Sequence, residues 1–576
     1  MSLKVKTSRN VKELITILMC SIIAFTCFSG CSNFFHRNEN EKIDTGKSQL
    51  YIGNCNGGLG FEWLEEVATA FEMKYADISF EEGKKGVQVI IDNSVIGTID
   101  GDNLKLNLPS SRDDIFFTES VDYAYFVERG SFLNITDTVK EDMSEFGEPG
   151  VTLENKIGLE LQEMLKSVDG NYYAIPFYEG LFGFTYDKAL FDEKGIWFQD
   201  GIAYTSEDID LDNPDLARVA GLFGGKQNKT AGRDGIKGTY DDGLPITYDD
   251  FLFMCIFMNA CGITPIIWSG QHNDYKEKAF TNIWVQEAGL DFITMWKNLS
   301  GTATDLISVD NDGNKTSLQE VEITNRNAYE LAKSESMYNF LSFCQKFFGN
   351  SSFFHTSCLD GTCSHIKAQA QFLYSSVLSS SNSIGFIAEG SYWVCESRET
   401  FKDMEASGDE YSLKNREIAF MPMPTSTRRE GEMNTMLSFN DAFVFINAKS
   451  SGVNQLLAKK FLQFSSSDDM IFVFSKNTNM TRGLDFEPTS AQRDELSFYA
   501  NSLLDLKKNS NIVSTSYTSA LVRNRSDFFG LMSAFSTKVN NSTFSFPDIG
   551  TFNDNITVKK YFDGMYEYRV VNYPDF

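Results

Sequence analysis

The first 31 residues constrain this chain more than any other segment, because they decide where the rest of it folds. The amino terminus is basic, with Lys4, Lys6, Arg9 and Lys12. Residues 14–28 then form an uncharged, mostly apolar run of fifteen residues. At 1.5 Å per residue this run is too short to cross a bilayer core of about 30 Å, and it has the length of the apolar region of a signal peptide. We therefore expect the chain beyond it to fold outside the cytoplasm.

The apolar run ends in Phe28, Ser29 and Gly30, directly before Cys31. Two small residues before a cysteine resemble a bacterial lipobox, in which the thiol is acylated and the chain is cut just before it. An ordinary signal peptide followed by a chance cysteine is the alternative. On the lipobox interpretation, residues 1–30 are a lipoprotein signal peptide, Cys31 is the lipidation site, and residues 31–48 are a lipidated polar tether.

The charge balance restricts the partners of the chain. The sequence has 51 Lys and Arg residues against 79 Asp and Glu residues, a net charge of −28. Cleavage before Cys31 removes four basic residues and one acidic residue, which makes the net charge −31. Such a surface repels nucleic acid and disfavours anionic ligands, so we expect a neutral or cationic ligand and no nucleic-acid partner. No second apolar run approaches 18 residues, and no transmembrane helix is expected.

Cysteine usage does not indicate a disulfide scaffold, because seven cysteines follow Cys31 and an odd number leaves at least one thiol unpaired. One cluster allows several interpretations: His355, Cys358, Cys363 and His365 fall within eleven residues. A local disulfide between the two cysteines, free thiols, and a zinc site all remain open.

The early part of the mature chain predicts alternating strands and helices. Apolar residues from Phe61 to Tyr75 recur at intervals of three and four, which predicts a helix with one apolar stripe (61, 64, 68, 71, 75). Short buried strands precede and follow it, which indicates an α/β fold. The two strands at 173–176 and 183–186 are expected to pair. The other predicted strands are 50–52, 87–91, 115–117 and 442–446, and the other predicted helices are 123–129, 249–260, 456–464 and 558–570.

Five short patterns resemble the extracellular solute-binding lipoproteins of carbohydrate ABC transporters, the maltose-binding-protein-like family 1. Each pattern is weak alone, and their order along residues 48–576 carries the resemblance. Residues 200–245, 300–330 and 350–385 match no part of the shared core. The patterns are NGGLGFEWL at 56–64, AIPFYEG at 174–180 followed by YDKALF at 186–191, TYDDF at 247–251, AEGSYW at 388–393 and YFDGMY at 561–566.

The resemblance implies the two-lobe periplasmic-binding-protein type II fold, in which two α/β lobes close on a ligand. It implies a hinge crossed three times, near 173–177, 418–423 and 477–483. The first lobe would comprise 49–174 and 420–477. The second would comprise 175–419 and 478–576, with insertions near 200–245 and 300–385.

Sugar-binding residues are sought among aromatic rings, which stack on C–H faces, and polar groups, which bond hydroxyls. Trp63 lies off the apolar stripe of its helix and beside the glycine loop that begins at Asn56. Glu389, Tyr392 and Trp393 follow a strand-like run at 384–387. For each residue, a place in the core or on the surface is the alternative. The candidate ligand-binding residues are Asn56, Trp63, Glu119, Tyr178, Glu179, Trp268, Glu389, Tyr392, Trp393, Asn440, Asp441 and Arg482.

An acidic turn offers a candidate metal site. Asp234, Asp241 and Asp242 lie in a glycine-rich segment, and Ca²⁺ takes six to eight oxygen ligands. A structural Ca²⁺ ion is one interpretation, and a solvated acidic loop is the other. Residues 308–313 imitate the start of an EF-hand, but Ser308 and Gln319 occupy its first and twelfth positions, so a plain turn is expected there. No cofactor is required by any motif.

The sequence favours a binding protein over an enzyme. It contains neither Gly-x-Ser-x-Gly nor His-Glu-x-x-His, and only three histidines follow the tether. A carboxylate pair suffices for glycoside hydrolysis, so a lipid-anchored carbohydrate-active enzyme is the alternative. An adhesin would show repeats, and none is present. We expect a monomeric, lipid-anchored receptor on the extracytoplasmic face of the cell membrane that captures an oligosaccharide and delivers it to the permease subunits of an ABC transporter.

Overall fold

A computed structural model describes residues 42–92, 101–167, 169–204, 211, 213–378, 382–439, 441–516 and 530–572. The expected signal peptide, Cys31 and Asn440 lie outside the described residues. Within the described ranges, no helix combines the length and the apolar character needed to span a bilayer. The sheets and helices lie in the unit Asp44–Phe576.

A five-stranded sheet forms the core of the first lobe. Four of its strands run in the same direction, and Phe443–Ile446 lies antiparallel between Ile115–Thr118 and Ala174–Pro176. Every residue of these three short strands is buried, as expected for a sheet covered by helices on both faces. The strand order is Val87–Asp92, Ser48–Asn54, Ile115–Thr118, Phe443–Ile446, Ala174–Pro176. The covering helices include Glu62–Lys74 and Gly452–Phe464, and helix Asp468–Thr478 packs on Glu62–Lys74.

A four-stranded mixed sheet forms the core of the second lobe. Its central strands, Ile384–Gly390 and Phe182–Asp187, are antiparallel and wholly buried. A separate parallel pair, Asn434–Ser438 with Ser510–Ser514, packs on the long helix Asn273–Asn298. The strand order of the sheet is Thr264–Ile267, Ile384–Gly390, Phe182–Asp187, Ile418–Phe420, and the helices on it include Asn273–Asn298, His365–Leu378 and Phe498–Lys508.

The chain passes between the two sheets three times, and the three connections lie side by side. The Phe439 N–H donates to the Gly180 carbonyl at 3.0 Å, and the Glu179 N–H donates to the Thr481 carbonyl at 3.2 Å. Hydrogen-bonded connections of this kind form a hinge between two lobes. The described residues of the connections are 177–181, 439 with 441–442, and 479–483.

Two predictions about the connections are wrong in detail. The strands predicted at 173–176 and 183–186 are present, but they belong to different sheets, because the residues between them form the first connection of the hinge. The second crossing does not lie near 418–423. Ile418–Phe420 pairs with Phe182–Asp187 in the second sheet, and the chain reaches the first sheet only at Phe443–Ile446.

The segments outside the shared core differ in structure. Residues 300–323 form two small antiparallel pairs, whereas helix His365–Leu378 packs directly on strand Ile384–Gly390 and is part of the second lobe. The remaining described strands are Asp142–Met143, Glu148–Thr152, Trp197–Phe198, Phe223–Gly224, Gly301–Ala303, Ile307–Val309, Lys315–Ser317, Val321–Ile323, Thr537–Val539 and Ser542–Phe544. The remaining described α-helices are Gly101–Asn107, Tyr123–Glu128, Thr136–Lys140, Leu153–Lys156, Leu159–Leu165, Lys188–Lys194, Leu216–Ala220, Tyr248–Ala260, Glu335–Phe348, Trp393–Glu396, Arg398–Glu405, Ser490–Glu495 and Val558–Asn572.

Candidate functional site

Loops that follow strands of both sheets meet beside the hinge. In the first lobe, Asn56 follows Ser48–Asn54 and Glu119 directly follows Ile115–Thr118. In the second lobe, Tyr392 follows Ile384–Gly390. The carboxyl ends of strands are where ligands bind in open α/β folds, and clefts between domains are a common place for them. We call this region the interlobe site and define it as Asn56, Glu119, Phe182, Tyr178, Tyr275, Gln369, Glu389, Tyr392 and Glu396.

A glycine-rich loop brings the backbone of the first lobe close to carboxylates of both lobes. Asn56 shapes the loop, since its side-chain oxygen accepts the backbone N–H four residues later at 2.5 Å. Gly57 and Gly58 have φ angles of +51° and +80°, which side chains rarely adopt. A Cβ at Gly57 would lie 2.7 Å from the Glu119 carboxylate, and one at Gly58 would lie 3.2 Å from Cγ of Glu396. The two glycines are therefore required by this close approach.

The interlobe site holds three carboxyl groups. Glu389 is 1% exposed, and its only polar contacts among the described residues are Gln369 Nε2 at 3.4 Å and its own neighbouring N–H. Gln369 also donates to Glu396 at 2.8 Å. Burial raises the pKa of Glu389 well above its ordinary value. Burial also raises the pKa of Glu396 to about 7, and the charge of Glu119 adds to that rise. The carboxyl oxygens of Glu389 and Glu396 are therefore poorly solvated.

Aromatic rings line the second-lobe side of these carboxyl groups. The ring of Phe182 lies 5.8 Å from that of Tyr392 and 5.6 Å from that of Tyr275. Tyr275 in turn lies 5.8 Å from His365. From the hinge, the Tyr178 hydroxyl donates to the Glu119 carboxylate. Rings beside hydrogen-bonding carboxyl groups are what recognition of a sugar requires.

The three tryptophans predicted to bind ligand lie in the core instead. Trp63 is 1% exposed and packs edge-on against Phe117 and Phe474. Trp268 and Trp393 are fully buried in the second lobe, and the Trp393 indole N–H donates to Thr185 Oγ1 at 3.1 Å. Large apolar rings gain most from full burial, and the surrounding elements provide it at these positions.

Three other predicted residues lie in or beside the hinge, and their side chains contact residues outside the interlobe site. Glu179 alternates with Tyr178 along the first connection, so their side chains point to opposite sides. Glu179 accepts from Thr481 Oγ1 at 3.0 Å. Asp441 has φ of +41° and accepts from Ser514 Oγ at 2.9 Å. Arg482 is buried inside the first lobe.

A cavity of about 780 Å³ lies at the hinge but is lined by none of the interlobe-site residues. Most of the charge on its walls is in ion pairs, such as Lys156 with Glu148 at 2.5 Å and Lys507 with Glu179 at 3.0 Å, and Arg482 is also among its lining residues. Among its described lining residues Phe486 is the one aromatic side chain. The scarcity of rings makes this cavity a poor sugar site.

The predicted metal ligands are used by the protein itself. The Asp241 carboxylate accepts the backbone N–H groups of Arg233 and Asp234, and the Asp242 carboxylate accepts that of Gly238. Across the described ranges, no three His, Cys, Asp or Glu side chains form a group that would hold a metal ion. The structure therefore does not bring Asp234, Asp241 and Asp242 together as a Ca²⁺ site.

The remaining small motifs have simple structures. Cys358 and Cys363 are both free thiols, so neither the disulfide nor the zinc interpretation describes them. The EF-hand-like segment is the turn between Ile307–Val309 and Lys315–Ser317, where Asp310 accepts backbone N–H groups.

The predictions from the sequence did not include four residues of the interlobe site: Phe182, Tyr275, Gln369 and Glu396. Glu396 carried a usable signal, because it stands four residues after Tyr392 and such residues share a helix face. Tyr275 and Gln369 lie on helices far from the other site residues in the sequence, and nothing local marks them.

No protein-family model matches the sequence, and no curated protein matches it. Solved structures do match the fold. The apo-form of RafE from Streptococcus pneumoniae has a TM-score of 0.50 at 11% identity, with 82% of this chain and 90% of that chain covered. The SBP RafE in complex with raffinose has a TM-score of 0.51 at 11% identity, with 90% of this chain and 99% of that chain covered. The predicted α/β fold with two lobes is thereby confirmed.

Proposed function

We propose that this chain, which has the two-lobe fold of a solute-binding protein, is a receptor that captures an oligosaccharide and delivers it to the permease of an ABC transporter. The observation that carries the proposal is the interlobe site, where carboxyl groups from both lobes lie beside tyrosine rings. The RafE structure that shares the fold is in complex with raffinose, which supports a sugar as ligand.

Capture follows from the division of the site between two lobes. Glu119 and the loop at Asn56 belong to the first lobe, whereas Tyr275, Tyr392 and Glu396 belong to the second. A ligand that contacts both sets binds best when the lobes are together, so it shifts the population towards the closed state. The permease then recognises the closed receptor.

The proposed role is binding without catalysis. Glu119 and Glu396 nevertheless form a pair of acidic groups, and a pKa of about 7 at Glu396 suits a general acid. A carbohydrate-active enzyme is therefore the alternative function, and a test of the proposal has to distinguish it from a receptor.

The receptor is proposed to sit on the extracytoplasmic face of the membrane, anchored by lipid on Cys31. The basic and apolar residues before Cys31 support this location. Cys31→Ser is expected to move the protein from the membrane fraction to the medium. Retention of the variant in the membrane would contradict the anchor.

The test is a thermal-shift screen against mono- and oligosaccharides, with chromatography of the sugar after each positive result. At a hundred times the dissociation constant, a one-site ligand adds about 2.7 kcal/mol to the free energy of unfolding. A shift with the sugar intact is the expected result. Cleaved sugar would identify an enzyme, and no shift with any sugar would contradict the proposal.

A further inference from the structure

Arg482 is a buried charge without a partner in the described part of the fold. It lies on the third connection of the hinge and is 1% exposed. None of its guanidinium nitrogens, Nε, Nη1 or Nη2, has a hydrogen-bond acceptor among the described residues. Burial lowers the pKa of Arg482 to about 9, so the group still carries its charge at neutral pH.

Two other buried arginines show how this fold normally accommodates the charge. Arg416 is 4% exposed and donates to the Asp187 carboxylate at 2.9 Å. Arg569 is as buried as Arg482, but its guanidinium donates to several backbone carbonyls. Those carbonyls belong to Ser533, Ala534, Ser536 and Met565. A fourth buried arginine, Arg233, donates to Thr425 Oγ1 at 3.2 Å, although its Nε and Nη2 have no partner among the described residues. Arg482 differs from the other three because its guanidinium has no acceptor at all among those residues.

Aromatic rings surround Arg482 without supplying acceptors. Its Cζ lies 5.5 Å from the ring centroids of Phe177 and Phe474, 5.9 Å from that of Trp63 and 6.0 Å from that of Phe117. Cation–π attraction extends to about 6 Å, so these contacts lie at its outer limit. A guanidinium keeps its proton in proteins, and an unpaired buried charge is strongly destabilising. The rings alone do not offset that cost.

A second orphaned polar group lies on the same face of the sheet. Asn54 is 1% exposed, and neither its amide nitrogen nor its amide oxygen has a partner among the described residues. Asn54 is the register partner of Phe117 in the neighbouring strand, so both side chains point to the same face. Phe117 is also one of the four rings around Arg482. Asn54 therefore has its unused N–H donors on the sheet face that carries the Phe117 ring, and the Arg482 guanidinium lies beside that ring.

We propose that Arg482 and Asn54 hold a small inorganic anion of the size of chloride inside the first lobe. The guanidinium supplies the positive charge and N–H donors, and the Asn54 amide supplies a further donor. Enclosure by four rings favours a compact monatomic ion over a phosphate or a carboxylate. Neither Arg482 nor Asn54 is a member of the interlobe site.

The anion site would also fix the third connection of the hinge. The backbone of Arg482 pairs with Tyr178 in the first connection. Its carbonyl accepts Nζ of Lys507 at 2.7 Å. An anion held by the Arg482 side chain therefore stabilises the first lobe together with two connections.

The test compares thermal unfolding of the purified protein in sodium chloride and in sodium gluconate at equal ionic strength. For a chain of this length we expect chloride to raise the midpoint by about 2 °C at a hundred times the dissociation constant, and the rise should follow the logarithm of the chloride concentration above that constant. Arg482→Met should abolish the difference between the two salts. An equal difference in the wild type and in Arg482→Met, or no difference in the wild type, would overturn the proposal.

A matched control is Arg569→Lys, which disturbs an equally buried arginine whose acceptors are all within the protein. This variant should lose stability but keep the chloride response. If Arg482→Met does not fold, crystals of the wild type grown in sodium bromide test whether an anion binds at Arg482. An anomalous peak within hydrogen-bond distance of the Arg482 guanidinium is expected, and its absence would overturn the proposal.

Discussion

The carboxylate of Glu179 lies 3.0 Å from the ammonium of Lys507, and this ion pair ties the first connection of the hinge to helix Phe498–Lys508. The same ammonium donates to the carbonyls of Arg482 at 2.7 Å and Leu484 at 2.9 Å. One lysine therefore holds two of the three connections. Both side chains of the pair are largely buried, so water does not screen their attraction strongly.

Removal of this lysine should destabilise the protein. Lys507→Met leaves Glu179 buried without its cation, and breaking a buried pair in this way costs about 3 kcal/mol or more. We expect a loss of about that size in the free energy of unfolding, measured in urea. The control is Lys508→Met, because Lys508 pairs with Glu487 on the surface, where a pair contributes about 1 kcal/mol or less. Equal losses in the two variants would contradict the role of Lys507.

Glu396 should make stability depend on pH. Its pKa is raised from 4.5 to about 7, so between these values the folded protein binds more protons than the unfolded chain. Stability from this group therefore falls as pH rises from about 4.5 to about 7 and is constant above that range. The full effect is at most about 3 kcal/mol. Glu396→Gln should flatten the pH profile of the unfolding midpoint in this window.

The control for the pH experiment is Glu399→Gln. Glu399 lies on the next helix, and its side chain is 75% exposed. This variant should keep the wild-type slope. A slope that is the same in Glu396→Gln as in the wild type would show that Glu396 does not titrate in the window.

Glu119 should contribute directly to sugar affinity. Hydrogen bonds to a charged acceptor contribute about 1.5–3 kcal/mol, so Glu119→Gln is expected to weaken binding roughly 10- to 100-fold. Isothermal titration calorimetry with the best sugar from the screen measures the change. Glu128→Gln, at the exposed end of helix Tyr123–Glu128, should bind like the wild type. Wild-type affinity in Glu119→Gln would remove this residue from the site.

Substitutions of Trp63 and of Tyr275 should have opposite effects: the first should mainly lower stability, and the second should mainly lower sugar affinity. Trp63 is a core residue, so Trp63→Leu is expected to cost about 3 kcal/mol in unfolding free energy and to leave sugar affinity within twofold of the wild type. Tyr275 is only partly buried in the ring cluster, so Tyr275→Ala should lower affinity at least tenfold with a smaller loss of stability. Urea unfolding and calorimetry on both variants check the contrast. A large loss of affinity in Trp63→Leu alone would reverse these assignments.

The sequence predicted the elements of the first sheet well, because each is a short apolar run or a helix with regular spacing. It did not predict that Trp63 is in the core. Helix Glu62–Lys74 is covered by the sheet and also by helix Asp468–Thr478, which lies about four hundred residues later. Because this second helix covers another face of Glu62–Lys74, Trp63 and Val67 are buried as well. The spacing of apolar residues within the helix does not reveal that second contact.

Part of the interlobe site could be predicted from the sequence. Glu119 directly follows a strand, Glu389 is the penultimate residue of Ile384–Gly390, and Tyr392 comes two residues after that strand. Strand ends are where polar groups gather in α/β folds. Tyr275 and Gln369 could not be predicted, because their helices reach the site only through tertiary packing. The position of the second crossing could not be predicted either. Ile418–Phe420 is a buried strand, and its apolar sequence is equally compatible with either sheet.

The strand Phe443–Ile446 has a consequence for how the protein is made. It lies between Ile115–Thr118 and Ala174–Pro176, which do not pair with each other without it. A ribosome that has finished residue 176 has therefore produced four of the five strands of this sheet, but it has still to add more than 260 residues before the missing strand emerges. Until then two edges stay open to wrong partners, and long-range pairing of this kind is slow. Nascent chains of this protein should therefore need a chaperone for longer than the length of their first lobe suggests.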